Sequence, residues 1–146
     1  MLDLVIFDLD DTLALTDHRR QFPEPEPDDW EGYLGALAQD KVDPVLSAVF
    51  YDHFTASREL WVVTTRSERA REQTEDWLYM MGLYYSKVIM REPGDTRYPA
   101  EIKLRWLHDG TIPKDRVLCV YENDPEVVRM YQTEGITCFH LLRGDV

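Results

Sequence analysis

LDLVIFDLDDT, at residues 2–12, joins an apolar run to a group of carboxylates. Residues 2–7 predict a short buried β-strand, because apolar side chains dominate them without strict alternation. Asp8 stands where that strand ends, and Asp10 follows two residues later. A carboxylate can attack phosphorus as a nucleophile, and a second one nearby can transfer the protons that hydrolysis requires. Either these residues form a phosphoryl-transfer site or they form a solvated acidic turn, which often follows a strand.

The rest of the chain alternates apolar runs with helical patterns. Further strands are predicted at residues 59–63, 85–90, 116–121 and 136–142, and helices at residues 30–39, 44–54, 68–81, 99–109 and 125–134. This alternation is typical of a parallel sheet covered by helices on both faces. We therefore predict an α/β protein with one domain over residues 1–146. Its expected fold is a Rossmann-like three-layer α/β/α arrangement with a five-stranded parallel sheet and no large cap domain.

The predicted connections leave one edge of this sheet for a site. Residues 13–20 are interpreted as a turn or small flap, and residues 21–27 as a surface connector, because alternating prolines there prevent regular structure. Ligands of parallel sheets collect outside the carboxyl ends of the strands. Asp8, Thr64 and Glu122 each follow a predicted strand, so we expect them at one edge.

Charge and composition limit the kinds of partner. The chain has 146 residues and a net charge of −12, which argues against coating long nucleic acids but allows a few arginines to bind a strand end or a nucleotide. No apolar run approaches the roughly 20 residues of a membrane span, and no secretory signal is recognised, so a cytoplasmic protein is expected. Cys119 and Cys138 are expected to be reduced core residues, with a disulfide or metal role as the alternative.

Four motifs, taken in order, resemble those of the haloacid dehalogenase-like phosphatase superfamily. They are DLDDTL at residues 8–13, VVT at residues 62–64, Lys103, and VYEND at residues 120–124. The resemblance implies the core fold of that superfamily and a nucleophilic Asp8 that forms an aspartyl-phosphate. It also implies that Asp10 acts first as an acid and then as a base. Thr64 and Lys103 would hold the phosphoryl group.

The same resemblance implies a bound Mg²⁺, a cation that prefers oxygen ligands and neutralises phosphate oxygens. The implied ligands are Asp8, the backbone carbonyl of Asp10, and Glu122. Asn123 and Asp124 are further candidates, because the resembling family has a pair of acidic residues where this chain has Glu122 and Asn123. Asn123 carries no negative charge, so Asp124 is the candidate to replace it.

A closer resemblance is to the 3′-phosphatase domain of bacteriophage polynucleotide kinase/phosphatase enzymes. It rests on VVTTRSE at residues 62–68, MREPGDTR at residues 90–97 and FHLLRGD at residues 139–145. It implies removal of 3′-phosphates from DNA or RNA ends, in the host cytoplasm if a phage encodes the chain. The substrate-binding candidates are Arg19, Thr65, Arg66 and Arg97, and Arg91 is expected in the same loops at the site edge.

Departures from that family leave alternatives open. The chain has no GxxxxGK(S/T) phosphate-binding loop, so it is predicted to lack kinase activity, and a separate kinase or ligase of the same repair pathway is the expected partner. Pro99 replaces an aspartate of the family. One alternative is a nucleotidase or other small-molecule phosphatase, which the net charge favours. The other is a non-catalytic binding module, which the changes at Asn123 and Pro99 favour.

Overall fold

A computed structural model describes residues 1–23 and 25–144, and its centre is a five-stranded parallel sheet. The strands are β1 (Leu4–Phe7), β4 (Glu59–Ser67), β5 (Lys87–Arg91), β6 (Val117–Glu122) and β7 (Cys138–His140), in the spatial order β5-β4-β1-β6-β7. β1 pairs with β4 on one side and with β6 on the other. The predicted α/β fold is therefore confirmed, with β1 at the centre of the sheet.

Helices cover both faces of the sheet. They are α1 (Trp30–Leu37), α2 (Pro44–Thr55), α3 (Arg71–Met80), α4 (Pro99–His108) and α5 (Pro125–Thr133). Val5 and Phe7 of β1 pack with buried side chains of α1, α2 and α3, whereas Leu4 and Ile6 pack with those of α4 and α5. Each such buried aliphatic or aromatic side chain stabilises the fold by roughly 1.5–3 kcal/mol. The three predicted layers are present, and the described residues contain no large cap.

Local signals account for the helix starts. The Asp43 side chain accepts hydrogen bonds from the N–H groups of Val45 and Leu46, and the Asp29 side chain accepts one from Gly32. Capping of this kind satisfies N–H groups that have no partner within the helix. Three helices, α2, α4 and α5, begin with proline, which is favoured in the first turn. These starts agree with the sequence-based expectations.

Some boundaries differ from the predictions. β4 does not end before Thr64 but continues to Ser67, with a register shift in its pairing to β5. Ser67 caps a short 3₁₀ turn (Glu68–Ala70), and α3 begins only after it. β7 is shorter than predicted. Residues 13–20 were predicted as a turn or flap, but they include β2 (Ala14–Leu15), which pairs with β3 (Lys41–Val42) in a small antiparallel ribbon.

Two other expectations concern cysteines and membranes. Cys119 and Cys138 are both free, and Cys119 is buried. In the part of the chain that the structure describes, no helix has the length and apolarity to cross a bilayer. Glu24 of the proline-rich connector and Asp145 of the C-terminal FHLLRGD segment lie outside the described residues.

Candidate active site

The carboxyl ends of the three central strands surround a small cavity of about 180 Å³. Asp8 follows β1 directly, Thr64 lies within β4, and Glu122 ends β6. These strands are neighbours in the sheet, so their ends lie side by side. The lining side chains also come from the start of α4 and from the turn after β6: Asp8, Asp10, Thr64, Thr65, Pro99, Lys103, Glu122, Asn123, Asp124 and Val127.

Lys103 connects two of the strand ends. Its Nζ donates to Asp8 Oδ1 at 2.9 Å and to Glu122 Oε2 at 2.8 Å. All three side chains are buried. Burial alone would lower the pKa of Lys103, but the two carboxylates outweigh it and raise that pKa well above its ordinary value. Lys103 is therefore a fixed positive charge beside the Asp8 carboxylate.

Asp8 is held by a second donor as well. Its Oδ2 accepts from Thr12 Oγ1 at 3.0 Å, and its backbone N–H donates to the carbonyl of Tyr121 at 3.0 Å. Burial and the nearby Glu122 carboxylate raise the pKa of Asp8 well above its ordinary value, although Lys103 opposes them. Two buried carboxylates share one ammonium, so one negative charge is left to be neutralised. A divalent cation fits this charge balance.

The end of β6 and the turn after it supply side-chain oxygen atoms with different hydrogen-bond partners. Glu122 Oε1 accepts from the N–H groups of Asn123 and Asp124 at 3.0 and 3.1 Å, while its other oxygen contacts Lys103. Asp124 Oδ1 caps α5 by accepting from Glu126 at 2.9 Å. Asn123 Oδ1 lies 3.3 Å from Thr12 Oγ1, the hydroxyl that also contacts Asp8. Among the candidate ligands Glu122, Asn123 and Asp124, Asn123 therefore shares a hydrogen-bonding neighbour, the Thr12 hydroxyl, with Asp8.

A magnesium site here would depend on neutral oxygen donors as well as on carboxylates. Within residues 1–23 and 25–144, no three side chains of the His, Cys, Asp or Glu types surround a common metal position. Asp8 and Glu122 supply carboxylates, and the Asn123 amide and the Asp10 backbone carbonyl supply uncharged oxygens. Mg²⁺ accepts such a mixed set, because it usually keeps several waters and binds one or two carboxylates.

Asp10 turns towards two arginines. Its Oδ1 accepts from Arg19 Nη2 at 2.7 Å and from Arg66 Nη2 in a very short contact. Burial would raise the pKa of Asp10, but the charges and hydrogen bonds of Arg66 and Arg19 outweigh it and lower that pKa. Both arginines, predicted to bind substrate, are nearly buried beside the cavity. Asp10 is thus an ionised group held by two cations.

Asp40 organises these arginines. Arg19 donates to Asp40 through Nε at 2.8 Å and through Nη2 at 3.0 Å, and His18 Nε2 lies 2.6 Å from the same carboxylate. Arg66 is further fixed by a 2.9 Å hydrogen bond to Thr74 Oγ1. Sequence reasoning did not identify Asp40, because nothing near residue 40 signals that its partners lie about 20 positions away. The antiparallel ribbon between β2 and β3 brings the two segments together.

The threonines at the end of β4, Thr64 and Thr65, line the cavity together with the acidic residues. Thr64 is buried, and its Oγ1 accepts from the N–H of Arg66 at 3.0 Å, so its hydroxyl proton can be directed to a ligand. Thr65 is half-buried and lines the cavity beside Asp8. Both hydroxyl groups therefore lie at the same strand end as the carboxylates, although they lie within the strand rather than after it.

Arg91 and Arg97 have different surroundings. Arg91 was expected in a loop at the site edge, but it is the last residue of β5 and is only 1% exposed. It donates to backbone carbonyls, including those of Thr65 at 2.9 Å and Pro25 at 2.7 Å. Arg97 is exposed and donates through Nε to Asp95 at 2.9 Å, and it lowers the pKa of Asp95 to about 2. Arg97 remains available at the surface beside the site, whereas Arg91 is internal.

Arg143, which sequence reasoning also did not single out, fixes the turn next to the site. Its Nη2 donates to Asp43 Oδ2 at 2.8 Å and to the carbonyl of Thr12 at 3.0 Å. The contact joins positions 131 residues apart and so holds the C-terminal segment against the turn that contains Thr12. The FHLLRGD resemblance included Arg143 but gave no indication of this contact.

Comparisons with known proteins agree on one family. The model described as the phosphatase domain of the polynucleotide kinase PNKP matches residues 2–146. A chain of the Pnkp1/Rnl/Hen1 RNA repair complex is similar with a TM-score of 0.82 and 24% identity, over 99% of this chain and 44% of that one. A second Pnkp1/Rnl/Hen1 complex gives a TM-score of 0.81 and 26% identity, over 99% and 48%. This chain therefore spans less than half the length of those two chains.

A more distant likeness has the same core. CbbY from Rhodobacter sphaeroides, solved in complex with phosphate, gives a TM-score of 0.66 at 16% identity, over 94% of this chain and 85% of that one. At this identity the likeness concerns the fold alone. No curated protein matches the sequence.

Proposed function

Because this chain belongs to the family of polynucleotide kinase PNKP phosphatase domains, we propose that it is a Mg²⁺-dependent polynucleotide 3′-phosphatase that works through an aspartyl-phosphate. Membership places it among the phosphatases, which are phosphoric monoester hydrolases. The haloacid dehalogenase-like core expected from the sequence is confirmed by its structural relatives. The metal, the covalent intermediate and the polynucleotide substrate are the parts that we propose.

The observation that carries the proposal is the contact of Lys103 Nζ with both Asp8 and Glu122, at 2.9 and 2.8 Å. A nucleophilic carboxylate and a phosphate are both anionic, so they repel each other unless a cation lies between them. Lys103 supplies a permanent charge at that place. Mg²⁺ bound by Asp8, Glu122, Asn123 and the Asp10 carbonyl would supply the rest by polarising the phosphoryl oxygens. Glu122 holds Lys103 in position.

The reaction has two steps. An Asp8 oxygen forms a bond to phosphorus while the bond from phosphorus to the leaving oxygen breaks, and that oxygen takes a proton from Asp10. A water then forms a bond to phosphorus and gives its proton to Asp10, and the bond between Asp8 and phosphorus breaks. Free phosphate leaves and both carboxylates regain their starting forms. Thr64 donates a hydrogen bond to the transferred group throughout.

Arg19 and Arg66 link substrate binding to the protonation of Asp10. They lower the pKa of Asp10 in the free protein, which disfavours the protonated form that the first step needs. A bound phosphate is a competing acceptor for both guanidiniums, since phosphate and arginine form charge-assisted hydrogen bonds. As the guanidiniums turn to phosphate, Asp10 loses its cations and its pKa rises. Substrate binding would thus prepare the acid.

Phosphate release from matched substrates tests the proposal. With Mg²⁺, a 3′-phosphorylated oligonucleotide is expected to be hydrolysed faster than its 5′-phosphorylated counterpart and faster than 3′- and 5′-mononucleotides. RNA and DNA versions should be compared, because the similar RNA repair complexes favour RNA ends and a repair protein as partner. Asp8→Asn should abolish turnover while circular dichroism shows an intact fold. Residual Mg²⁺-dependent activity in that variant would contradict the nucleophile assignment.

Two alternatives have distinct outcomes in the same assay. A net charge of −12 favours small substrates, and hydrolysis of mononucleotides alone would identify a nucleotidase. Binding of phosphorylated ends without any turnover would identify a non-catalytic module.

A further inference from the structure

A second and larger cavity adjoins the one around Asp8. It has a volume of about 400 Å³ and shares Asp10, Thr65 and Pro99 with the smaller cavity. Its other lining residues are Pro25, Arg66, Arg91, Thr96, Arg97 and Tyr98. Resting on the function proposed above, we infer that this cavity binds the nucleoside that carries the scissile phosphate, with its base stacked on Tyr98.

The position of Asp10 determines which way the leaving group extends. The acid that protonates the leaving oxygen must lie beside that oxygen, and Asp10 lies in the wall common to both cavities. A phosphate on Asp8 therefore has its leaving oxygen on the side of the larger cavity. The volume of that cavity lies within the range of about 300–1,000 Å³ for sites that enclose small organic groups.

Tyr98 provides an aromatic surface in this cavity. Its side chain is 72% exposed, and it precedes Pro99, which begins α4. The fixed φ of proline and the helix that follows hold the backbone at this position in place. Exposed aromatic rings that line a cavity near a phosphate site bind nucleobases by stacking, because every base has a π face.

Arg91 holds the walls of the cavity together. Its guanidinium donates to the Thr65 carbonyl at the end of β4, to the Pro25 carbonyl in the proline-rich connector at 2.7 Å, and to the Asp95 carbonyl in the loop before Tyr98 at 2.9 Å. A fully buried cation costs free energy, and these contacts compensate it only in the assembled arrangement. The cavity is thus formed before a ligand enters.

Guanidinium groups give this cavity donors for an anionic ligand, although each of them has a carboxylate partner: Arg66 with Asp10, Arg91 with Glu26 and Arg97 with Asp95. Arg66, Arg91 and Arg97 line it, and Asp10 is the one acid among the lining residues within the described chain. Arg97 is partly exposed and lies two residues after its partner Asp95, with a 2.9 Å contact between them. Arg97 and Tyr98 are adjacent in the wall of the cavity, so Arg97 is placed to contact the next phosphate of a polynucleotide whose terminal base stacks on Tyr98.

The test compares Tyr98→Ala with Tyr98→Phe on two substrates, a 3′-phosphorylated oligonucleotide and glycerol 2-phosphate, which has no base. In Tyr98→Ala the ratio of the two kcat/KM values should fall by about tenfold, mostly through KM. That change corresponds to about 1.4 kcal/mol, within the range of roughly 1–3 kcal/mol for one stacked base. Tyr98→Phe should restore the ratio. Tyr79→Ala, which removes an exposed tyrosine of α3 outside the cavity, should leave it unchanged.

A binding measurement gives a second readout. An oligonucleotide with 2-aminopurine as its 3′-terminal base should lose fluorescence on binding to Asp8→Asn, because stacking quenches the base, and adding Tyr98→Ala should abolish this loss. If Tyr98→Ala changes neither the ratio of the two kcat/KM values nor the quenching, the inference about Tyr98 is wrong. Hydrolysis of the oligonucleotide by the unaltered enzyme would still support the proposed function in that case. Failure of the unaltered enzyme to hydrolyse any oligonucleotide would overturn the proposed function instead, and the quenching would still decide whether Tyr98 binds a base.

Discussion

The carboxylate of Asp10 and the guanidinium of Arg66, 56 positions apart in the chain, form a direct ion pair at the edge of the site. Arg66 is nearly buried, and Asp10 is about one-third exposed at its side chain. The pair sets the protonation of Asp10, the residue that the proposed mechanism requires in two different forms.

Arg66→Gln is expected to raise the pKa of Asp10, because it removes one of the two guanidiniums that lower it. The first step needs protonated Asp10, and the profile of kcat/KM against pH reports the free protein, so the basic limb of that profile should move to higher pH. A loss of about tenfold in kcat/KM is also expected, since a charge-assisted hydrogen bond to substrate is lost. Steady-state rates across the pH range measure both effects.

The matched control is Arg20→Gln, because Arg20 is exposed and pairs only with the surface residue Asp17 among the contacts described. Its pH profile should coincide with that of the unaltered protein. A basic limb of the kcat/KM profile that stays in place in Arg66→Gln would argue against Asp10 as the acid.

Lys103→Met should destabilise the protein by roughly 3–5 kcal/mol, because it leaves Asp8 and Glu122 buried without their common cation. Urea unfolding in the presence of EDTA measures the free energy of unfolding directly. Lys114→Met is the control, as Lys114 is a surface residue 3.7 Å from Glu134 and should cost under about 1 kcal/mol. A loss for Lys103→Met as small as that of the control would show that the buried contact adds no stability.

Asp8→Asn should stabilise the metal-free protein at neutral pH. Below the ordinary value of 3.8 the Asp8 carboxyl is protonated in both folded and unfolded chains, so the stability associated with it is fully present. As the pH rises above 3.8, the unfolded chain releases this proton first, because the pKa of Asp8 is raised in the folded protein. The stability associated with the proton is therefore lost over the pH range between the pKa of the unfolded chain and that of the folded protein. Asparagine does not titrate, and Lys103 keeps Glu122 as its partner.

The measurement is urea unfolding of both proteins in EDTA at several pH values. The difference in the free energy of unfolding should grow from near zero at acidic pH to favour Asp8→Asn at pH 7, and saturating Mg²⁺ should reduce it. A variant that is less stable than the unaltered protein at pH 7 without metal would contradict the raised pKa of Asp8.

Asn123→Asp should increase the affinity for Mg²⁺ by about tenfold, because it replaces an uncharged oxygen facing Asp8 by a carboxylate. Isothermal titration calorimetry reads the affinity without reference to turnover. The control is Asp124→Asn, whose side chain caps α5. It should leave stability nearly unchanged, because asparagine caps a helix about as well as aspartate, and it should leave Mg²⁺ affinity unchanged. The opposite pattern would make Asp124 the ligand.

The sheet and the starts of α1, α2, α4 and α5 could be predicted because their causes are local. Apolar runs specify buried strands, and Asp43 with Pro44 marks a helix start by capping and by its fixed φ. The end of β4 could not be predicted in this way, since its continuation to Ser67 depends on pairing with β5. Sequence alone does not show which strand neighbour a polar residue will meet.

The site divides along the same line. Asp8, which follows β1, and Glu122, which ends β6, were predicted at one edge because topology determines where strands end. The partners of those residues were not predicted: Asp40 meets Arg19 through the ribbon of β2 and β3, and Arg91 is internal because its donors match carbonyls of three separate segments. Contacts of this kind depend on the assembled fold, and no local pattern in the sequence signals them.

The central position of β1 has a consequence for how the site opens. Amide protons of a strand paired on both sides exchange with solvent only when most of the molecule unfolds. The N–H of Asp8 is bonded to the carbonyl of Tyr121 directly beyond that strand, so it belongs to the slowest-exchanging group. The ribbon that positions Asp40 has only two residues in each strand, but Ala14 within it is fully buried in the same core cluster as Val5 and Phe7 of β1. Asp8 and the ribbon that positions Asp40 are therefore expected to share one cooperative core, so the site should open only when much of the fold opens.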